Sequence, residues 1–447
     1  MESVIKEYTY PNGDLQRVQL VCPDSWEHLD FLRLPYAEES LTCFSDIYRN
    51  FLVPACPWLF GDMVMFRIPA NVEVPFSPET KKYGHVADPL TAAAAAMEAG
   101  VRLVRGRPVF RSQAVKAFWE ILESRDCIRI IRGKLPTTTF IPVGRAPGYL
   151  TRRDPEARMK VNASFFIMDR FDCATLYDHV GTILGLNVRD GVISNPPLYH
   201  REALLVKKDG TVQIMVPDIR NLEITIGGSA FRHGRNCRIY TRPDRAWTPR
   251  CKGTKLVIVG CRVAAVSRAS RVRIPASGFV MCLEENRPMV SGSAVAYHGM
   301  EDVVFGIQVG NSIVVNGEKT TSFRSRFYNI RRLQPVPYPP SLYPMDFDKA
   351  RAARIALGAD KDGKPMLLWA EGAAKFGYRA GQMSCGASLK EMADICADVG
   401  MVNAVNLDGG GSAQILLNNK RSLKISDRNR DTFDEAERPV PLGLIVK

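Results

Sequence analysis

One short stretch of the chain gathers the residue types that hydrolysis needs. Asn406-Leu407-Asp408-Gly409-Gly410-Gly411-Ser412 sets one carboxylate, three glycines and a hydroxyl between two apolar runs. A carboxylate at a strand end is displayed by a rigid element and can serve as nucleophile or as base for water. Glycines carry no Cβ, so the backbone can turn sharply and come close to a ligand. Successive amides followed by a hydroxyl can cradle phosphate oxygens. The same residues also fit a tight turn between strands, with Asp408 serving turn geometry. A hairpin, however, needs one or two glycines, not three with an acid and a serine.

The elements that must position this stretch are legible around it. Ser388-Leu389-Lys390-Glu391 has the spacing of a capping box. Leu389, Met392, Ala393, Cys396 and Val399 then make a helical stripe that Gly400 ends. A strand into Asp408 follows at once. Upstream, from Lys160 on, the chain reads as short strands: Val161 to Phe166, runs around Asp190-Gly191 and Asp209-Gly210 that predict hairpins, Asn236 to Thr241, Leu256 to Val266, Gly278 to Leu283, and Ile313 to Glu318. The Pro-rich run Gln334 to Pro344 predicts an extended linker. Residues 1–150 read as an accessory α+β region of unknown function. Phe51 to Pro75 predicts short strands, Thr91 to Gly100 and Ser112 to Glu123 predict helices, and Val115, Phe118, Trp119 and Leu122 share one face of the second. Gly133 to Pro155 predicts a connection.

The Asn-Leu-Asp-Gly-Gly-Gly-Ser stretch resembles the signature of the phosphodiester glycosidase family. Weaker matches follow in order over residues 155–447. Val161 to Phe166 is similar to the family's Asn-Gly-Gly-Phe-Phe element, with Ala163 and Ser164 in place of both glycines. Arg354-Ile355-Ala356-Leu357-Gly358 is similar to its Arg-Thr-Ala-Ile-Gly, and Glu437-Arg438-Pro439-Val440 to its closing Glu-Arg segment. The resemblance implies an α+β fold: a strand-rich mixed-sheet domain with packed helices over 155–447, preceded by the smaller N-terminal region. It implies hydrolysis of a sugar-1-phosphodiester, of the N-acetylglucosamine-1-phosphodiester type, to free sugar and a phosphomonoester, with no organic cofactor; the residue pattern itself asks for no metal. Asp408, Asn162 and Arg354 form the expected catalytic set. Gly409, Gly410, Gly411, Ser412 and Arg438 are the expected phosphate holders, since a guanidinium matches phosphate oxygens bidentately. Asn162 would hold a sugar hydroxyl or orient Asp408; it would equally satisfy backbone at a strand end. Each arginine also fits a structural ion pair. A second carboxylate would come from Glu371, Asp169 or Asp172. Two other readings stand beside this one: a metal-assisted phosphodiesterase on the same scaffold, and a module that grips glycan phosphate without turning it over.

Composition bounds these readings. The 447 residues are 46% hydrophobic and 24% charged, enough for a buried core, with a net charge of +13 spread over scattered arginines and lysines. A phosphorylated sugar or glycan suits that sign, and no nucleic-acid or membrane partner is expected. The eleven cysteines are irregularly spaced with no C-x-x-C pair, and the six histidines form no H-E-x-x-H. No signal-peptide pattern opens the sequence and no apolar run nears a membrane span, so a reducing cytoplasm is the expected compartment. Oligomeric state is left open.

Overall fold

β-Branched and apolar residues recur in short runs through most of the chain, and strands follow from them. The computed structural model describes residues 1–34, 39–47, 49, 61–69, 72, 74, 85–86, 89–143, 148–168, 172–242, 244–285, 288–321, 323, 350–374, 377–429 and 432–447. The fold is α+β, 41% strand and 15% helix, so the strand-rich expectation holds. The Pro-rich run 334–344 lies outside the described residues.

Two antiparallel sheets carry the C-terminal part. The larger has seven strands in the order Glu2–Thr9, Leu15–Cys22, Pro365–Ala370, Arg354–Ala359, Asn403–Asn406, Ser312–Val315, Glu318–Lys319. The smaller has four, in the order Ile415–Leu417, Met159–Asn162, Leu442–Val446, Leu29–Arg33. Residues 2–33 thus supply strands to both: Leu20 pairs with Leu368, and Phe31 with Leu444. The packing between the two sheets is apolar, since Ile355, Leu357, Leu367, Trp369, Val405, Leu407, Ile415 and Leu444 are all buried in one cluster. The Asp408 stretch is the crossover that carries the chain from the larger sheet into the smaller.

The hairpins at Asp190-Gly191 and Asp209-Gly210 form as expected, joining Asn187–Arg189 to Val192–Asn195 and Ala203–Lys207 to Val212–Met215. Leu256 to Val266 resolves into a hairpin of Lys255–Val259 and Arg262–Ser267. In the N-terminal region the two helices run Pro89–Gly100 and Gln113–Ser124, and Val115, Phe118, Trp119 and Leu122 are buried together. Of the short strands expected over 51–75, Gly61–Phe66 forms, and residues 51–60 lie outside the described residues. The connection expected over 133–155 is corrected in part: Leu135–Pro142 is a strand, paired in parallel with Gly61–Phe66. Its flanking prolines suggested a linker, but the interior Thr137-Thr138-Thr139-Phe140-Ile141 is β-branched and apolar and pairs accordingly.

The capping box is present. Glu391 N donates to Ser388 Oγ at 3.2 Å and Ser388 N to Glu391 Oε2 at 2.8 Å, opening the helix Leu389–Asp398. Arg351 binds the same carboxylate (Nη2 to Oε1, 2.7 Å) and Asp14 (2.6 Å), and lies over the Tyr10 ring at 4.4 Å. Burial raises the Glu391 carboxyl, but the Arg351 and Ser388 hydrogen bonds outweigh it and hold the group below its ordinary range. A depressed folded pKa means the contribution is complete above the unfolded value and is lost as pH falls through the folded one. Amide protection of this helix is therefore expected to fall on acidification below about pH 4, and hydrogen exchange should show that step weakened in Arg351→Gln. Among the described residues no helix is long and apolar enough to cross a membrane.

Candidate active site

The strand Asn403–Asn406 delivers Asp408 to the junction of the two sheets, half-buried. Its backbone is held from both sides. Leu407 N donates to Ile355 O at 2.8 Å, Asp408 N to Ala163 O at 3.0 Å, and Gly410 N to Ala353 O at 2.8 Å. Asn162, fully buried, spans the loop: its Nδ2 donates to Asp408 O at 2.6 Å and its Oδ1 accepts from Gln414 N at 3.0 Å. Of the two roles open to Asn162, the geometry supplies the backbone one, which fixes where Asp408 stands. Removing that side chain strands a buried carbonyl and a buried amide, each costing about 1–3 kcal/mol. Asn162→Ala is expected to lose about 2–4 kcal/mol of stability, read as a lower urea midpoint at unchanged m-value. An unchanged midpoint would mean that the loop stands without this side chain.

The glycines are needed chiefly for close approach. A Cβ on Gly409 would come within 2.7 Å of Ala353 O, and one on Gly411 would run into the Asp427 carboxylate and the Arg438 guanidinium. Gly410 has φ +58° and opens a 3₁₀ turn, Gly410–Ser412. That turn uses amides internally: Ser412 N donates to Gly409 O and Ala413 N to Gly410 O. With Gly410 N on Ala353 O, the amides of Gly410, Ser412 and Ala413 are engaged within the protein. Ser412 is buried behind it.

Both arginines have protein partners. Arg354, buried beneath the loop, donates from Nε to Ala387 O at 3.0 Å and from Nη2 to Ala350 O at 2.9 Å. Arg438 pairs with Asp427, Nη2 to Oδ2 at 2.8 Å and Nε to Oδ2 at 3.0 Å. Asp427 was not singled out from sequence; an acid eleven positions before its partner leaves no local pattern. Glu371 is likewise engaged, accepting from Ser384 Oγ and from Lys424 N at 2.9 Å. Asp172 is buried, and Asp169 lies outside the described residues. A cavity of about 450 Å³ opens beside Glu437, lined by Asp46, Asp434, Glu435 and Glu437 against Arg152. Its charge is of the wrong sign to receive a phosphate. Gln414 Oε1 accepts from Arg421 at 3.1 Å, and Arg421 reaches Glu437 at 3.8 Å, so this acidic rim is tied back to the loop.

The family model described as phosphodiester glycosidase matches residues 260–447. That stretch holds Asp408, the glycines, Ser412, Arg354 and Arg438; Asn162 lies before it, on a strand paired into the same sheet. The chain is 35% identical over 100 residues to N-acetylglucosamine-1-phosphodiester alpha-N-acetylglucosaminidase of Mus musculus, covering 22% of this chain and 18% of that protein. It is 36% identical over 95 residues to the Homo sapiens protein of that name, covering 21% and 17%. The chain thus spans less than a fifth of the length of these relatives. The solved zebrafish N-acetylglucosamine-1-phosphodiester alpha-N-acetylglucosaminidase catalytic domain aligns over 100% of this chain and 82% of that one, at 13% identity and a TM-score of 0.36. Over residues 260–447, then, the chain is similar to the phosphodiester glycosidase family.

Proposed function

We propose that this chain hydrolyses the glycosidic bond of a sugar-1-phosphodiester, releasing free sugar and a phosphomonoester. The observation that carries the reading is Asp408, a half-buried carboxylate whose backbone is anchored to both sheets within the family-matching stretch. An anchored carboxylate meets its substrate without reorganising, which is where much of the advantage of a protein site over water lies. Asp408 attacks C1 directly, forming a glycosyl ester that water then cleaves to free the sugar and restore the carboxylate, or takes the proton of a water that attacks C1 itself. The C1–O bond breaks and the phosphate keeps the bridging oxygen. A phosphate monoester is a good leaving group, so its departure needs charge neutralisation more than a proton. Arg438, with its charge shared with Asp427, and the face of the glycine turn are the groups nearest to hand for that.

The test is release of free sugar from a panel of sugar-1-phosphodiesters, UDP-sugars included, run in water labelled with oxygen-18. Label in the sugar supports glycosidic cleavage. Label in the phosphate instead would identify a phosphodiesterase cutting the P–O bond, and tight binding without turnover would identify a binding module.

A further inference from the structure

We propose that a basic groove away from the Asp408 loop binds single-stranded nucleic acid. Between residues 232 and 273 the chain carries twelve arginines and lysines against one acid, Asp244. Along the sequence they are dispersed, which is why no nucleic-acid partner is expected from it. Folding gathers several of them. Arg245, Arg250 and Arg271 line one cavity of about 450 Å³ together with Trp247. Arg271 lies over the Trp247 ring at 5.4 Å, and Arg245 over Tyr240 at 5.5 Å. Asp244 is occupied elsewhere, accepting from Thr241 Oγ1 at 2.8 Å and facing His200 at 3.0 Å.

The groove is built, not merely a set of exposed side chains. Its two walls, residues 245–251 and 270–274, are stitched in antiparallel fashion: Thr248 N to Val272 O at 2.9 Å, Ile274 N to Ala246 O at 3.0 Å, Cys251 N to Ser270 O at 3.1 Å. Beneath them the strand Cys237–Thr241 pairs with the buried strand Gly278–Leu283. Guanidinium groups beside planar rings are the equipment that follows a phosphate backbone while stacking its bases. A glycan would need acceptors for its hydroxyls, and the groove is lined by Arg, Ala, Trp, Thr and Pro, with no carboxylate or carboxamide side chain. The lining therefore favours a chain of phosphates and bases over one of phosphates and sugars.

The test uses the full chain and a fluorescently labelled single-stranded oligonucleotide of about twelve nucleotides, followed by anisotropy across a salt series. Binding is expected to weaken with salt, and Arg245→Gln/Arg250→Gln/Arg271→Gln to flatten the log–log slope by about 2. Trp247→Ala is expected to weaken binding about tenfold with the slope unchanged. Arg250→Glu, at an exposed position, keeps the test open should the triple variant not fold; it should lower both affinity and slope. Binding indifferent to these substitutions would overturn the proposal. So would displacement of the oligonucleotide by dextran sulfate at equal charge with no effect of Trp247→Ala, since that is attraction to charge alone.

Discussion

Asp408→Asn is expected to lower sugar release by about 10³-fold or more while leaving the melting temperature near that of the wild type. Asparagine matches the shape of the carboxylate but can neither attack C1 nor take a proton from water. Main-chain groups of Leu407, Asp408 and Gly410 together with the Asn162 amide anchor the loop, and these remain in the variant. The useful comparison is the rate of the variant against its fold, read by single-turnover sugar release beside far-UV circular dichroism. A variant that keeps its rate would make Asp408 a turn residue and move the chemistry to another carboxylate. A variant that melts early would mean that the aspartate side chain holds the junction between the sheets.

Gly411→Ala should have the largest effect on stability among the loop substitutions, about 3–5 kcal/mol, with sugar release lost in parallel. The added methyl has to displace either the Asp427 carboxylate or the Arg438 guanidinium, and both are largely buried. Separating a buried pair leaves charge without compensation, which is why the effect exceeds that of an ordinary steric change. Gly410→Ala supplies the contrast. A Cβ there meets nothing within 4 Å, and the strain is the backbone's alone, at φ +58°. That strain is worth about 1–2 kcal/mol. Chemical denaturation of the two variants side by side distinguishes these causes. Equal losses would mean that the Asp427–Arg438 pair moves aside at little cost.

What the sequence made legible was local. The capping box, the hairpin turns and the carboxylate at a strand end each rest on a few adjacent residues, and each is found where the spacing puts it. The internal use of the glycine-loop amides was not legible, because a 3₁₀ turn and an open cradle share one glycine-rich spelling. The partner of Arg438 was hidden by sequence distance, and so was the convergence of Arg245, Arg250 and Arg271 with Trp247 around one cavity. Leu135–Pro142 was obscured by its own prolines, which mark strand ends here and not a linker. The pairing of Leu15–Cys22 with Pro365–Ala370 has no local signature, since either strand would suit many neighbours.

A pairing of the same long reach bears on how the molecule comes into being. The strand Leu29–Arg33 has as its neighbour Leu442–Val446, which emerges from the ribosome about four hundred residues later, on the order of half a minute at ordinary elongation rates. Until then the early strands present unpaired edges, the kind of surface on which chains aggregate. The four-stranded sheet, in which the Asn162 strand lies between Ile415–Leu417 and Leu442–Val446, is complete only once residue 446 has been made. Completion of the junction around Asp408 is therefore a late event, and a nascent chain stalled before residue 442 would carry the loop on an incomplete sheet.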